Sequence, residues 1–183
     1  MMRHQNNMRM QGRLARFQAY DRRLAAIHEA GHVLMAIHLG YRAKAWVNPN
    51  ETGDPFGEKT WVGHMTMRGM PEERDHPHVR MVAVAGMVAE ELWKNGHDEE
   101  YAETWRWEDA LKDEDIMSYS DWRLAGCEPG EPDDDLHQVV ATVAALFMHH
   151  LWTQLTGISR VLMSETQSIH SFGCSDTPSA VAA

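Results

Sequence analysis

Cysteine is nearly missing from this 183-residue chain: only Cys127 and Cys174 occur, in unrelated surroundings and without a CxxC spacing. That excludes a disulfide framework and a thiolate metal site, and it fits a reducing compartment. Long apolar runs are missing too. The longest, Val139 to Met148, stops at His149 and His150, well short of the roughly 20 residues that span a bilayer, so no membrane partner is expected. The amino end lacks the apolar core of a secretory signal, which makes the cytoplasm the expected location. Positive charge is scarce as well, with 17 Lys and Arg against 27 Asp and Glu and a formal net charge of -10. Nucleic-acid binding needs a dominant basic surface, so nucleic acid is not an expected partner.

What is present suits a folded domain. Apolar residues at 43% and charged residues at 24% are ordinary for a globular chain, and the length allows one domain with a real core. The scarce positive charge is unevenly spread. Arg3, Arg9, Arg13, Arg16, Arg22 and Arg23 face Asp21 alone in the first 23 residues, a basic arm on an acidic body. Such an arm is either a solvated or fraying helix or a docking element for an acidic partner, another copy or nucleic acid. The expected organisation is a basic arm or helix over 1–20, a domain over 21–170 and a flexible tail over 171–183, where "SFGCSDTPSAVAA" has little to bury.

Hydrophobic periodicity gives the elements. Leu24, Ile27, Gly31, Leu34, Met35 and His38 recur at spacings of three and four, which predicts a helix over Asp21 to Leu39 stopped by Gly40. "YRAKAWVNP" and "EKTWVGHMTMRG" alternate like strands, the second with Trp61, Gly63, Met65 and Met67 on one side, and "NPNETGDPFG" joins them as a turn. "DHPHVRMVAVAGMVAEELWKNG" predicts a buried helix with Pro77 in its first turn and Asp75 as its cap. A further helix is expected from about Asp134 to Leu155. The fold class is therefore α+β, mainly helical.

Within the first helix stands "HEAGH". Residues four apart lie about one turn apart on one face, so His28 and His32 can offer imidazole nitrogens to a single ion. Glu29, rotated by about 100°, falls beside that ion, where its carboxylate can take a proton from an activated water. Ala30 and Gly31 are small and allow a close approach on their side. Gly31 costs about 1 kcal/mol against Ala in a helix interior, which asks for a packing or functional reason. His38 lies six past His32 and points elsewhere, and the pairs His76/His78 and His149/His150 lack ligand spacing. Catalytic zinc usually keeps three protein ligands and an open position. For the third, residue chemistry leaves Glu90, Glu91, Asp109, Asp115 and Asp121 open.

Three blocks in order, "HEAGHVLMA" (28–36), "GHMTMRGMPEE" (63–73) and "VAGMVAEEL" (84–92), resemble the peptidase domain of FtsH-type ATP-dependent zinc metalloproteases. The first block is shared with many zincins; the ordered trio is more specific. The resemblance implies a zincin-like metallopeptidase domain with a small sheet beside the HExxH helix, and Zn2+ as cofactor. It also implies a third ligand from an aspartate opening the helix after the Ala-Glu-Glu block. "MSYSDWRLAG" matches best and gives Asp121, although the segment before it is longer and richer in tryptophan than in the family and the family's Thr-Gly lead is absent, so Asp109 and Asp115 remain alternatives. Glu90 and Glu91 then support the ligands or pack the helix. The function implied is hydrolysis of flexible or unfolded polypeptides with Glu29 as general base. Gly63, His64, Met65 and Thr66 would bind an extended peptide by adding it to the sheet edge. No GxxxxGK[ST] loop occurs, so a separate ATPase unfoldase is a candidate partner, and a homo-oligomer is another. The alternative is a noncatalytic zinc-containing module that regulates or binds a partner.

Overall fold

One helix organises the rest. In the computed structural model, which describes residues 2–50, 59–96, 107–165 and 168–173, helix α1 runs from Met2 to His38 without a break. The basic arm and the predicted helix over 21–39 are thus one element, because no proline separates them. Its end follows the expected mechanism. Gly40 adopts φ 87°, and the N–H groups of Gly40 and Tyr41 return to the carbonyls of Ile37 and Ala36 at 2.9 and 2.8 Å, a Schellman closure of the last turn.

Strands β1 (Arg42–Pro49) and β2 (Trp61–Arg68) pair antiparallel, and the short β3 (His170–Phe172) pairs antiparallel with the other side of β1. The order is β2-β1-β3, so β2 is an edge strand among the described residues. Ala43, Ala45 and Val47 of β1 are buried, and opposite them stand Met67, Met65 and Gly63; this face of the sheet lies on α1. The amide of Asn50 donates to the Thr60 carbonyl at 2.8 Å, which makes that pair a hydrogen-bonded one and fixes the phase of the ladder. Trp61, Gly63, Met65 and Met67 therefore occupy the non-bonded positions, and their N–H and C=O groups point away from β1, toward the open edge. Pro49, which has no N–H, stands opposite Trp61, as this phase requires. The expectation of a tail over 171–183 needs correction: Ser171 and Phe172 pair with Lys44 and Ala43, held by the ladder and by Phe172 packing on the core. Residues 174–183 lie outside the described residues.

Helix α2 (Pro77–Lys94) has Pro in its first turn, but its cap is His76 rather than Asp75, with the His76 Nδ1 accepting from the His78 amide at 3.1 Å. Most of its residues are buried. It lies against α1 where Gly31 faces it. A Cβ on Gly31 would collide with the Ala85 carbonyl oxygen and stand 2.8 Å from the Ala89 Cβ. The short helix α3 (Trp107–Ala110) and helix α4 (Tyr119–Ala125) follow, α4 opened by the Ser118 cap and closed by Gly126 at φ 77°. The helix expected over 134–155 is longer and interrupted. Helix α5 (Asp134–Leu146) passes through a π-helical turn (Phe147–Leu151) into helix α6 (Trp152–Ser164). The wide turn inserts a register shift between α5, which packs on α2, and α6, which packs on α1. The result is α+β, mostly helical, with one three-stranded antiparallel sheet. Among the described residues no helix is long and apolar enough to cross a membrane.

Gly31→Ala tests the α1–α2 contact. Alanine would gain about 1 kcal/mol of helix propensity, but its methyl meets backbone, where overpacking costs about 1–3 kcal/mol. The expected net result is a lower urea midpoint at unchanged slope.

Candidate metal centre

The two imidazoles of α1 face each other, with Nε2 atoms 3.0 Å apart. Both rings are gripped from behind by α2. His28 Nδ1 lies 2.8 Å from Glu90 Oε1, and His32 Nδ1 lies 2.6 Å from the Val82 carbonyl oxygen. A ring nitrogen that donates to an oxygen leaves the other nitrogen of the neutral ring with its lone pair forward. The grip on Nδ1 therefore aims both Nε2 atoms at one place.

Asp121 arrives from α4, with Oδ2 at 3.2 Å from His28 Nε2 and Oδ1 at 3.4 Å from His32 Nε2. Its position is fixed locally. The Ser118 hydroxyl donates to Asp121 Oδ2 at 2.7 Å and accepts from the Asp121 amide at 3.1 Å. Helix α4 is in turn pinned to α2 by buried Arg80, whose Nε donates to the Ala125 carbonyl at 3.0 Å and whose guanidinium reaches Asp133, the cap of α5. The ligand atoms of His28, His32 and Asp121 all lie within 4.8 Å of one another, and among the described residues no other group of three does so.

The other carboxylates considered from sequence go elsewhere. Glu90 stands behind His28, and buried Glu91 pairs with Lys94 at 2.8 Å. Asp109 pairs with Lys112 at 3.0 Å on the surface, and Asp115 is exposed. His78 bonds the Tyr41 hydroxyl at 2.6 Å, while His149 and His150 are exposed on the π-helical turn.

Two features escaped sequence reasoning. Gly86 of α2 sits against both rings: a Cβ there would collide with His32 Nε2 and stand 2.7 Å from His28 Cε1 and Nε2. A glycine inside a helix with no turn to make was the available signal. The Val82 carbonyl carried none, because any residue supplies one.

Glu29 is 6% exposed, and its Oε2 is buried with no hydrogen-bond partner. Its stem lies against Gly63 of β2, where a Cβ would overlap Glu29 Cγ and Oε1. A cleft of about 520 Å³ opens onto these groups, walled by Leu24 and Ala25 of α1, by Trp61, Gly63, Met65 and Met67 of β2, and by Leu124 of α4. Gly63, His64 and Met65 line it. Thr66 does not line it; like His64 it lies on the exposed face of the sheet, where the His64 ring stacks on Trp46, its cross-strand partner, at 5.4 Å.

The electrostatics of the ion-free site are those of cations held by carboxylates. Burial lowers the His28 pKa, but hydrogen bonds and charge from Asp121 and Glu90 outweigh this and push it up to about 10. Burial would raise Glu90, but the bond to His28 and its charge hold it down at about 2. Burial would likewise raise Asp121, yet the charge of His32 and the bonds to both imidazoles hold it well below the usual carboxylate range. Glu29 goes the other way: burial raises it, and the two imidazoles only partly offset that. An arrangement of two imidazoles and one carboxylate, with an unpartnered buried oxygen beside them, fits a divalent cation.

No protein-family model matches the chain, and no curated protein does either.

Proton linkage gives a direct test. At pH 7 the ion-free His28 holds its proton, since its pKa lies above that pH, and a cation must displace it. Metal binding is expected to release about one proton or more at pH 7, measured as the dependence of calorimetric heats on buffer ionisation enthalpy, and to tighten from pH 6 to 9. In the ion-free protein the pairing of His28 with the two carboxylates stabilises fully below the free value of 6.5 and is lost as pH rises through about 10, so its denaturation midpoint should fall across that window.

Proposed function

We propose that the chain is a zinc-dependent metallopeptidase of the FtsH-peptidase kind, cutting flexible or unfolded polypeptide. The single observation that carries this reading is the convergence of His28, His32 and Asp121 beside buried Glu29, on the floor of a cleft bordered by an open strand edge. A purely structural zinc site closes its fourth position with protein and has no use for an unpaired carboxylate next to it.

His28, His32 and Asp121 would hold the ion. The chemistry that Zn2+ supplies when bound is Lewis acidity, which polarises a carbonyl and makes water nucleophilic near neutral pH. The protein's own part begins with orientation. The outward N–H and C=O groups of Trp61, Gly63, Met65 and Met67 offer an extended peptide a strand to pair with, and the apolar walls receive its side chains. An extended, flexible segment can lay its main chain along such an edge, which supports flexible polypeptide as the substrate class. Glu29 Oε2 then accepts the proton of the attacking water and delivers it to the leaving amine. Its raised pKa suits the second half of that task, and the positive charge of a bound ion suits the first by drawing Glu29 back toward its ionised form.

Glu29→Gln is nearly isosteric and should retain zinc at one per chain while lowering the cleavage of unfolded casein by at least about 100-fold. Wild type that binds zinc and leaves casein and flexible peptides uncut would remove the peptidase reading and leave the metal-binding module. Gly63→Ala should also retain zinc, because residue 63 touches no ligand, and should lose activity by displacing Glu29.

A further inference from the structure

The amino-terminal half of α1 has no task in the metal centre. Over residues 11–20 nearly every side chain is exposed, including the large apolar groups Phe17 at 42% and Tyr20 at 45%. Arg13, Arg16, Tyr20 and Arg23 follow at steps of three and four, so they form one stripe along the helix, with Phe17 beside it. Among the described residues no carboxylate pairs with Arg13, Arg16 or Arg23. Among the described residues its support from the body is the Tyr20 ring against Trp93 of α2, 5.7 Å between centroids, and Gly12 weakens the helix from within.

The opposite charge is gathered elsewhere on the same chain. Outside the first 23 residues lie 26 of the 27 acidic residues but only 11 of the 17 basic ones. Two acidic segments are brought together by a turn: a Cβ on Gly130 would stand 3.2 Å from the Lys112 carbonyl oxygen and 3.6 Å from the Glu114 Cβ. Glu114 and Asp115 on one of these segments and Glu128, Glu131, Asp134 and Asp135 on the other are all exposed. Of the cations nearby, Lys112 and Arg80 are engaged by Asp109 and Asp133, Arg123 stands over the Tyr119 ring, and exposed Arg74 lies beside Gly126 at the margin of the patch.

The arm cannot reach this patch on its own chain. It is continuous with the buried part of α1, and the helices beside the patch, α4 and α5, pack on α2. We propose that the basic arm of one copy docks on the acidic patch of a second copy, which returns its own arm to the first. A two-fold pair lets both arms dock at once, the self-complementary arrangement that closed dimers require. Phe17 loses water in the contact while the arginines set its direction. Each exposed ion pair contributes little alone, so the association is salt-sensitive and reversible. This goes beyond the peptidase reading and stands whether or not the chain cuts peptides.

Sedimentation velocity of the full chain tests it. A dimer is expected at about 50 mM salt, with a Kd that rises at least about tenfold by about 300 mM as screening shortens. The triple variant Arg13→Glu, Arg16→Glu, Arg23→Glu should be monomeric at low salt, and so should the triple variant Glu128→Lys, Glu131→Lys, Asp135→Lys. Mixed, the two should form a heterodimer, since each carries the other's complement; zinc stoichiometry of one per chain checks that both are folded. A wild type monomeric at low salt, association indifferent to salt or to the reversed arm, or two reversed variants that fail to combine would each overturn the proposal. So would an arm needed for binding anionic vesicles or DNA but not for self-association.

Discussion

The close approach of α1 and α2 is the constraint on which the centre depends. Gly31 lets the Ala85 backbone come up to α1, and one residue further along α2 Gly86 makes room for the two imidazoles. Only at this separation can α2 reach His28 with Glu90 and His32 with the Val82 carbonyl. Two glycines inside helices cost about 2 kcal/mol together in propensity. What they permit is a pair of rings whose metal-facing nitrogens are aimed by the neighbouring helix rather than by rotamer preference.

A second layer of positioning follows from Arg80. It is buried on α2 yet bonds the end of α4 and the cap of α5, so the helix that delivers Asp121 is tied to the helix that orients the histidines. The ligand set is therefore assembled from two elements that share one anchor. Without a cation, two imidazoles and two carboxylates neutralise each other through shared protons, which is why His28 is raised while Glu90 and Asp121 are depressed. Glu29 belongs to the same cavity, and its Oε2, without a hydrogen-bond partner among the described residues, distinguishes it from the carboxylates that hold the site together.

The sheet contributes through its edge. Strand alternation places small and flexible side chains, Gly63, Met65 and Met67, against α1, and the phase of the ladder turns the main chain of those same residues outward. One register thus sets both the proximity of β2 to Glu29 and the row of groups that a peptide would meet. A one-residue slip would bring His64 and Thr66 against α1 and close the cleft.

The sequence by itself determined what is local. The spacing of His28, Glu29 and His32 on a helix, the stop at Gly40, the two alternating strands and the buried helix from Pro77 all follow from periodicities of 3.6 and 2 and from the backbone habits of glycine and proline. Only tertiary structure decided what is joined across distance: Asp121 rather than Asp109 or Asp115 beside the histidines, Glu90 behind His28, Gly86 beneath the rings, and β3 on the far side of β1. Each of those depends on how helices and strands pack, and a carboxylate or a carbonyl looks the same in sequence whether it meets an imidazole or water. The unbroken extension of α1 to Met2 belongs to both, since the absence of a breaker was readable whereas its separation from the acidic patch was not.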